Sequence, residues 1–287
     1  MLSLHRLSTT NFSHRPMSSL QKTIIPNRSE ERLYDNFSLF VKAETVTSRH
    51  HTNDRKMNEH MKKVKENWQD QMWDAYNFLM KCPDVSRLQK ILVRHDLFRM
   101  SLDVPGDIVE CGVFKGTGLM QLLKMRQIHI PSSMKKIIGF DLFREQPKLT
   151  GDDDRQMTKF FSESSFTGID PDTIMHEASL VCNNDVTSCI ELVPGDVCIS
   201  CKHYADSKPG FRISLLYMDL DVEEATLRAL EALWPRVVRG GVVVFDEYAV
   251  AKWSESNAVD EFLKNKPEQK MRTIQWSKSP TAYIIKQ

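Results

Sequence analysis

The amino-acid sequence predicts an α/β fold, in which a doubly wound, mostly parallel sheet of seven strands follows an N-terminal helical extension. Strand and helix patterns alternate from Gly106 onward, which is typical of a parallel sheet covered by helices. Two strand patterns near the C-terminus are joined by a short turn, which predicts an antiparallel pair at one edge. Acidic residues directly follow several strand patterns, at the edge where open α/β sheets bind ligands.

Composition bounds the class of protein. A chain of 287 residues with 41% hydrophobic and 27% charged residues suits one large globular domain with an extension. The net charge of +1 gives no reason to expect nucleic acid as a partner. No apolar run approaches the roughly 20 residues of a membrane span, so no membrane partner is expected. The six cysteines fit a reducing compartment, and we expect a cytoplasmic protein.

The N-terminal third is predicted to have two parts. Residues 1–29 contain four basic residues and no acidic one, which predicts a disordered leader, with a mitochondrial transit peptide as the alternative. Residues 30–104 are predicted to be a helical extension, because apolar side chains recur at helical spacing from Met61 to Leu79 and from Leu88 to Phe98. We expect this extension to form a lid or homodimer contacts beside the main domain at 105–287.

The strand patterns of the main domain are short apolar runs bounded by turn residues. They cover residues 108–113, 136–140, 190–193, 213–218, 242–245, 271–276 and 282–286. Helices are predicted at 117–127, near 171–182 and at 223–237. The remainder of 143–187 is predicted to be loop, and Gly240-Gly241 to be a turn into the fifth strand.

Two acidic pairs stand at the ends of the fourth and fifth strands. Asp219 and Asp221 follow Met218, and Asp246-Glu247 follows Phe245. Because the carboxyl ends of parallel strands meet at one edge, four carboxylates are expected to converge there. This arrangement favours a site for a divalent cation.

The first three strands carry a different set of residues. Glu110 lies two residues before Gly112, which suits a ligand with a cationic amino-acid group at a glycine turn. Asp141, after the second strand, is placed to accept hydrogen bonds from ribose hydroxyls, and Asp196, after the third, to flank an adenine. The spacing is not G-x-G-x-x-G, so S-adenosylmethionine fits this edge better than NAD.

Five stretches resemble the macrocin O-methyltransferase (TylF-type) family of class I methyltransferases. They are GDIVECGVFKGTG (106–118), IIGFDLF (137–143), DLDVEEATLRAL (219–230), LWPRVVRGGVVVFDEY (233–248) and NAVDEF (257–262). The resemblance implies a Rossmann-like fold and S-adenosylmethionine-dependent, Mg²⁺-assisted methylation of a hydroxyl on a small molecule such as a deoxysugar or a natural-product scaffold.

The resemblance also implies roles for individual residues. Glu110, Gly112, Asp141 and Asp196 would contact the cofactor, and Asp219, Asp246 and Glu247 would hold the metal. Asp221 would be the general base, since it lies on the same face without being needed as a ligand. The chain departs from the family pattern at Glu247, where Asp is usual, and after the first acidic pair, where Glu223 and Ala225 replace a tyrosine-serine neighbourhood.

Two other functions are compatible with such a sheet. An NAD(P)-dependent sugar-modifying oxidoreductase would need the missing G-x-G-x-x-G and a Tyr-x-x-x-Lys pair. A methyltransferase-like scaffold without activity would not need its carboxylates to converge. We therefore predict an O-methyltransferase.

Overall fold

The structure is a computed structural model that describes residues 68–144, 148–149, 151–164, 168–182 and 185–287. The predicted leader, 1–29, and the part of the predicted extension before residue 68 lie outside these ranges. Within them, no helix combines the length and the apolar character that crossing a bilayer requires.

A seven-stranded sheet forms the centre of the described chain. Its strands are β1 (Asp107–Cys111), β2 (Ile137–Asp141), β3 (Ile190–Pro194), β4 (Ile213–Met218), β5 (Val237–Phe245), β6 (Met271–Arg272) and β7 (Ala282–Ile285). The spatial order is β3-β2-β1-β4-β5-β7-β6; the first five strands are parallel, and β7 is antiparallel to both of its neighbours. This confirms the predicted sheet. The strand order reverses between β1 and β4, which is where open sheets bind ligands.

Eight α-helices of four residues or more accompany the sheet in the described ranges. They are α1 (Trp68–Lys81), α2 (Ser86–Met100), α3 (Thr117–His129), α4 (Gly151–Ser164), α5 (Pro171–Val181), α6 (Val197–Ser207), α7 (Glu223–Leu233) and α8 (Glu255–Leu263). Helix starts follow local chemistry: the carboxylates of Asp170 and Asp196 accept hydrogen bonds from the first turns of α5 and α6, and Pro171 is the first residue of α5.

The sheet buries apolar side chains on both faces, as its nearly continuous apolar strands predict. Alternate residues of β1, β2, β4 and β5 pack with α6, α7 and α8 on one face and with α2, α3 and α5 on the other. All six residues of β4 are buried, and its one small polar residue, Ser214, donates its hydroxyl to the carbonyls of Gly106 and Asp107.

Helix α2 presents a different face to the sheet from the one the sequence predicted. The apolar spacing from Leu88 to Phe98 includes Leu92, which we expected to pack, but Leu92 is exposed, and the buried residues are Val93, Arg94, Leu97 and Phe98. Arg94 is thus part of the buried face, one turn after Lys90. This orientation of α2 brings Lys90 and Arg94 to carboxylates at the edge of the sheet.

Strand β5 begins earlier than predicted. The sequence placed a Gly240-Gly241 turn before a strand at 242–245, whereas β5 starts at Val237 and contains both glycines. Its pairing with β4 is irregular, since the partner of Ile213 is Val237 and the partner of Leu215 is Val242. Gly240 has φ +81° and its N–H donates to the carbonyl of Lys286, so the glycines shape an irregular strand instead of ending a loop.

Two further elements differ from prediction. Residues 151–164 form α4, where a loop was expected, because Met157, Phe160 and Phe161 supply an apolar stripe that the polar composition conceals. Strand β6 stops at Arg272 instead of Trp276, because the chain turns there: the N–H of Ser277 donates to the carbonyl of Ile274.

Candidate active site at the carboxyl edge of the sheet

The carboxyl ends of β1, β4 and β5 meet, as predicted. Met218 pairs with Cys111 on one side and with Phe245 on the other, so Asp219 and Asp246 begin at the same level. Backbone hydrogen bonds continue the ladder, from Asp219 N–H to the Cys111 carbonyl and from Asp246 N–H to the Met218 carbonyl. The acidic pairs thus stand side by side because of strand register.

Gly112 is required by the close approach of β1 and β4. Its φ is +91°, and a Cβ at this position would lie 1.8 Å from the carbonyl oxygen of Asp219. No side chain fits at that distance. Gly112 therefore lets the ends of the two central strands touch, which is a separate requirement from its predicted contact with a cofactor.

The ends of β2 and β3 form one half of this edge, which we call the β2–β3 end (Asp141 and Asp196). Asp141 accepts from the N–H groups of Val113 at 2.6 Å and Phe114 at 2.9 Å through Oδ2, and from Phe143 at 2.7 Å through Oδ1. It thus holds the turn after β1 in place. Asp196 is exposed and caps α6, accepting from the N–H of Cys198 at 2.9 Å. Both predicted residues lie on adjacent strand ends, and both are joined to backbone N–H groups.

Glu110 is enclosed at the centre of the edge. It is 1% exposed, and its Oε1 lies 2.6 Å from Nη1 of Arg94 on α2. Burial raises the pKa of Glu110, while Arg94 beside it favours the ionised form. Its second oxygen, Oε2, is buried without a hydrogen-bond partner among the described residues. A buried carboxylate oxygen without a donor fits the cationic amino group that the sequence analysis expected here.

The other half of the edge, the β4–β5 end (Asp219, Asp221, Asp246 and Glu247), is crowded with charge. Asp246 is fully buried, and three donors meet its two oxygens. The hydroxyl of Tyr217 donates to Oδ1 at 2.5 Å, and the hydroxyl of Ser279 donates to Oδ2 at 2.6 Å. The ammonium of Lys90, on α2, lies 2.7 Å from the same Oδ2.

Two cations from α2 balance these acids. Lys90 also lies 3.6 Å from Oδ2 of Asp219, and Nη2 of Arg94 lies 3.3 Å from the same oxygen. Arg94 stacks on the ring of Tyr217 at 3.8 Å. Burial alone would raise the pKa of Asp246, but Lys90 and Arg94 more than offset it, so the pKa is lowered. Asp246 is therefore ionised and paired.

Asp221 is the carboxylate best suited to accept a proton near neutral pH. Its backbone is left-handed, with φ +66°, and its carbonyl accepts from the N–H of Ser254 at 3.1 Å. Such a backbone conformation is costly for an aspartate and is found where surrounding structure enforces it. Burial and the neighbouring Asp246 raise the pKa of Asp221 to about 7, against the opposing charges of Lys90 and Lys252.

Glu247 and Glu255 complete the cluster of acids. Burial, Asp246 and Asp221 raise the pKa of Glu247 to about 8. Glu255, in the first turn of α8, is fully buried, and its Oε1 accepts from the N–H of Glu247 at 3.0 Å. Burial raises the pKa of Glu255 well above its usual range. Glu255 fixes the backbone that carries Glu247.

The predicted metal ligands do not form a ready metal site. Within the described ranges, no group of three or more His, Cys, Asp or Glu residues is placed to hold a metal ion. Mg²⁺ requires several oxygens in octahedral geometry at about 2.0–2.1 Å. The oxygens of Asp246 are already engaged by Tyr217, Ser279 and Lys90. The residues in place therefore do not fit Mg²⁺.

An aromatic wall stands beside Asp221. Phe160 of α4 has its ring centroid 5.4 Å from that of Phe114 and 5.8 Å from that of Trp253. The hydroxyl of Ser254, adjacent to Trp253, donates to Asp153 of α4 at 2.8 Å. Helix α4 is thus joined to the segment whose backbone holds Asp221.

Sequence reasoning missed five side chains of the site: Lys90, Arg94, Tyr217, Glu255 and Ser279. A signal existed for two of them. Lys90 and Arg94 are four residues apart and share helical spacing with Val93 and Leu97, so they put two cations on an apolar face. A charged pair in that position predicts buried acidic partners.

Comparison with known structures agrees with the fold. A structure of CalS11, calicheamicin methyltransferase, superposes with a TM-score of 0.61 at 24% identity, covering 82% of this chain and 91% of that one. Together with the strand order and the acids at the strand ends, this defines a class I, Rossmann-like methyltransferase fold.

The chain belongs to the macrocin-O-methyltransferase (TylF) family, whose profile matches residues 14–279. It is similar to an apo structure of CalS11, described as a TDP-rhamnose 3'-O-methyltransferase of calicheamicin biosynthesis, with 28% identity, a TM-score of 0.57, and coverage of 73% of this chain and 84% of that one.

A curated relative comes from Streptomyces olivaceus. It is the 8-demethyl-8-(2,3-dimethoxy-alpha-L-rhamnosyl)-tetracenomycin-C 4'-O-methyltransferase, 26% identical over 153 residues, which are 51% of this chain and 54% of the relative. The match thus spans about half the length of that relative.

Proposed function

We propose that the protein is an S-adenosylmethionine-dependent O-methyltransferase that acts on a hydroxyl group of a small, sugar-containing molecule. One observation carries the proposal: Asp221, an aspartate with a pKa of about 7, stands across the strand-order switch from Glu110 and Asp141. A proton acceptor and a predicted cofactor edge thus meet where such sheets bind ligands.

Residues of β1, β2 and β3 would hold the methyl donor. The unpaired Oε2 of Glu110 is suited to the amino group of the donor, and the exposed carboxylate of Asp196 is suited to the adenine side. Asp141 keeps the glycine turn in shape through three N–H groups and stands at the adjoining strand end, where ribose hydroxyls are expected. When bound, the donor supplies an electrophilic methyl group on a sulfonium.

The acceptor hydroxyl would bind at the β4–β5 end. Its oxygen attacks the methyl carbon, the carbon–sulfur bond breaks with its electron pair going to sulfur, and the hydroxyl proton goes to a carboxylate oxygen of Asp221. A carboxylate with a pKa of about 7 is well matched to this transfer at neutral pH. Positioning of the two substrates supplies much of the acceleration in reactions of this kind.

The aromatic wall supports a sugar-containing acceptor. The rings of Phe114, Phe160 and Trp253 contact one another next to the segment that holds Asp221, and Lys252 lies 4.3 Å from the Trp253 ring centroid. Ring faces pack against the apolar faces of sugars, and a lysine suits an anionic substituent. The relatives described as acting on rhamnose derivatives support the same substrate class.

Magnesium is not part of this proposal, because the residues in place do not fit it; the homodimer stays a prediction that the proposed function does not require. Helix α1 exposes Met72, Trp73, Tyr76 and Phe78, which are the side chains available for a contact of the predicted extension.

The test is transfer of tritiated methyl groups from S-adenosylmethionine to a panel of acceptors: TDP-rhamnose, rhamnosylated aromatic polyketides, the corresponding free sugars, and a catechol. We expect labelled product with a rhamnose-containing acceptor and none with the catechol. Labelling of the catechol alone would contradict the sugar-type substrate, and binding of the methyl donor without transfer to any acceptor would favour the scaffold alternative.

A further inference from the structure

The β4–β5 end contains a cation of its own. The ammonium of Lys90 lies 2.7 Å from Oδ2 of Asp246 and 3.6 Å from Oδ2 of Asp219. These are two of the three residues predicted to hold Mg²⁺. Lysine therefore stands between carboxylates that the family resemblance assigns to a metal.

Lys90 is held in this place by its surroundings. Its side chain is 26% exposed, on a helix anchored by the buried residues Val93, Leu97 and Phe98. Arg94, one turn later, pairs with Glu110 and approaches the same Oδ2 of Asp219 at 3.3 Å. Two positive charges from one helix thus reach one group of acids.

A divalent ion would compete with both cations. It would have to displace Lys90 from Asp246 and would then lie next to Arg94, whose charge repels it. Each of these steps lowers the affinity for a metal.

We infer that the ammonium of Lys90 is the resident cation of the β4–β5 end, in place of a divalent metal ion. This inference deepens the proposed function and rests on it for the reaction that the cation would assist. An ammonium has three N–H donors: one donates to Asp246 at 2.7 Å, and Asp219 lies at 3.6 Å, which is an ion-pair distance and beyond that of a hydrogen bond. A further N–H of the ammonium would donate to the acceptor oxygen, so Lys90 would orient the hydroxyl while Asp221 takes its proton.

The experiment measures Mn²⁺ binding, which needs no acceptor. The full chain is freed of metals with a chelator and titrated with Mn²⁺, and the electron paramagnetic resonance signal reports the free ion. The proteins compared are the wild type, Lys90→Met, Lys90→Arg and Lys202→Met. Lys202 pairs with Asp206 on the exposed side of α6, so its replacement is a charge-matched control away from the site.

We expect the wild type, Lys90→Arg and Lys202→Met to bind Mn²⁺ only in the millimolar range. Lys90→Met should bind one ion at least tenfold more tightly, because the carboxylates lose their internal cation. One equivalent bound by the wild type at micromolar concentration would overturn the inference, and so would a folded Lys90→Met protein that binds no better than the wild type. If circular dichroism shows that Lys90→Met is unfolded, the wild type and Lys90→Arg titrations still decide.

Calorimetric titration of the same four proteins with S-adenosylhomocysteine separates this inference from the proposed function. If none of the four proteins binds S-adenosylhomocysteine, the methyltransferase proposal is contradicted, and the Mn²⁺ comparison still tests the role of Lys90. Nucleoside binding by all four, with tight Mn²⁺ binding by the wild type, would contradict the role of Lys90 alone.

Discussion

The two halves of the carboxyl edge begin from the same sequence pattern, an acid after a strand, and end with different chemistry. At the β2–β3 end, Asp141 and Asp196 accept hydrogen bonds from backbone N–H groups, those after β1 and β2 for Asp141 and that of Cys198 for Asp196. At the β4–β5 end, Asp246 is buried beneath α2 and paired with Lys90, a residue 156 positions away. Backbone N–H groups satisfy the first pair, whereas side chains from distant parts of the chain determine the state of the second.

This contrast explains why the acids behave differently. Lys90 and Arg94 lower the pKa of Asp246 against the effect of burial, whereas burial and Asp246 raise that of Asp221 to about 7. Two carboxylates in one cluster thereby separate into an ionised, paired one and one able to exchange a proton. Such separation is the usual source of an acid–base pair in an active site.

The largest effect should come from Asp221→Asn. Replacing the proposed base should lower turnover by about 100- to 10,000-fold, the range typical of a general base. Binding of S-adenosylhomocysteine, measured by calorimetry, should stay within about twofold, because Asp221 belongs to the other half of the edge. Equal loss of turnover and of affinity for S-adenosylhomocysteine would show that the β2–β3 end and the β4–β5 end do not act independently.

Asp246→Asn should destabilise the protein strongly. It removes the carboxylate that the Lys90 ammonium contacts at 2.7 Å, and loss of one partner from a buried ion pair costs about 3–5 kcal/mol. The free energy of unfolding, from urea denaturation, is the measurement.

The matched substitution at the other half is Asp196→Asn, which should change that free energy by less than about 0.5 kcal/mol, because Asn caps a helix as well as Asp. Similar losses for the two variants would refute the contrast between the halves.

Gly112→Ala should separate the central strand ends. The added Cβ would meet the carbonyl of Asp219 at 1.8 Å in a left-handed backbone, so we expect a loss of about 3 kcal/mol or more in unfolding free energy.

Gly240→Ala is the control for Gly112→Ala, because Gly240 also has positive φ but has no atom within 4 Å of its Cβ position. It should cost about 1 kcal/mol. Equal thermal stability of the two variants would contradict the close approach of β1 and β4.

The smallest effect concerns pH. Because the base must be ionised, kcat/KM should rise with pH through about 7 and level off above it. Lys90 favours the ionised form of Asp221, so Lys90→Met should move this rise to higher pH. The measurement is the pH profile of kcat/KM with an acceptor found by the transfer assay. If the pH profile of kcat/KM is the same in Lys90→Met as in the wild type, Lys90 does not influence the pKa of Asp221.

The spacing of apolar residues and the positions of turn residues predicted the fold well. Ile213–Met218 is recognisable because a fully buried parallel strand is almost entirely apolar, and β7 because a short turn precedes it. Helix α4 was missed because Met157, Phe160 and Phe161 are diluted by charged neighbours in a region that looks like loop. The start of β5 was missed because glycines are ambiguous between a turn and an irregular strand.

The site was predictable as far as strand register determines it. Asp219 and Asp246 were expected to converge, and they do, because each follows the end of a strand. Lys90 and Ser279 lie far from them in sequence and reach Asp246 only through the packing of α2 and of the segment before β7. Contacts of that kind leave no spacing pattern in the chain.

Calorimetric titration of the chelator-treated wild-type protein with S-adenosylmethionine, with NADH as the comparison ligand, tests the central claim most directly. We predict one site of micromolar affinity for S-adenosylmethionine and no heat of binding from NADH. Absence of S-adenosylmethionine binding, both with and without added Mg²⁺, would contradict the claim that this edge of the sheet serves methyl transfer.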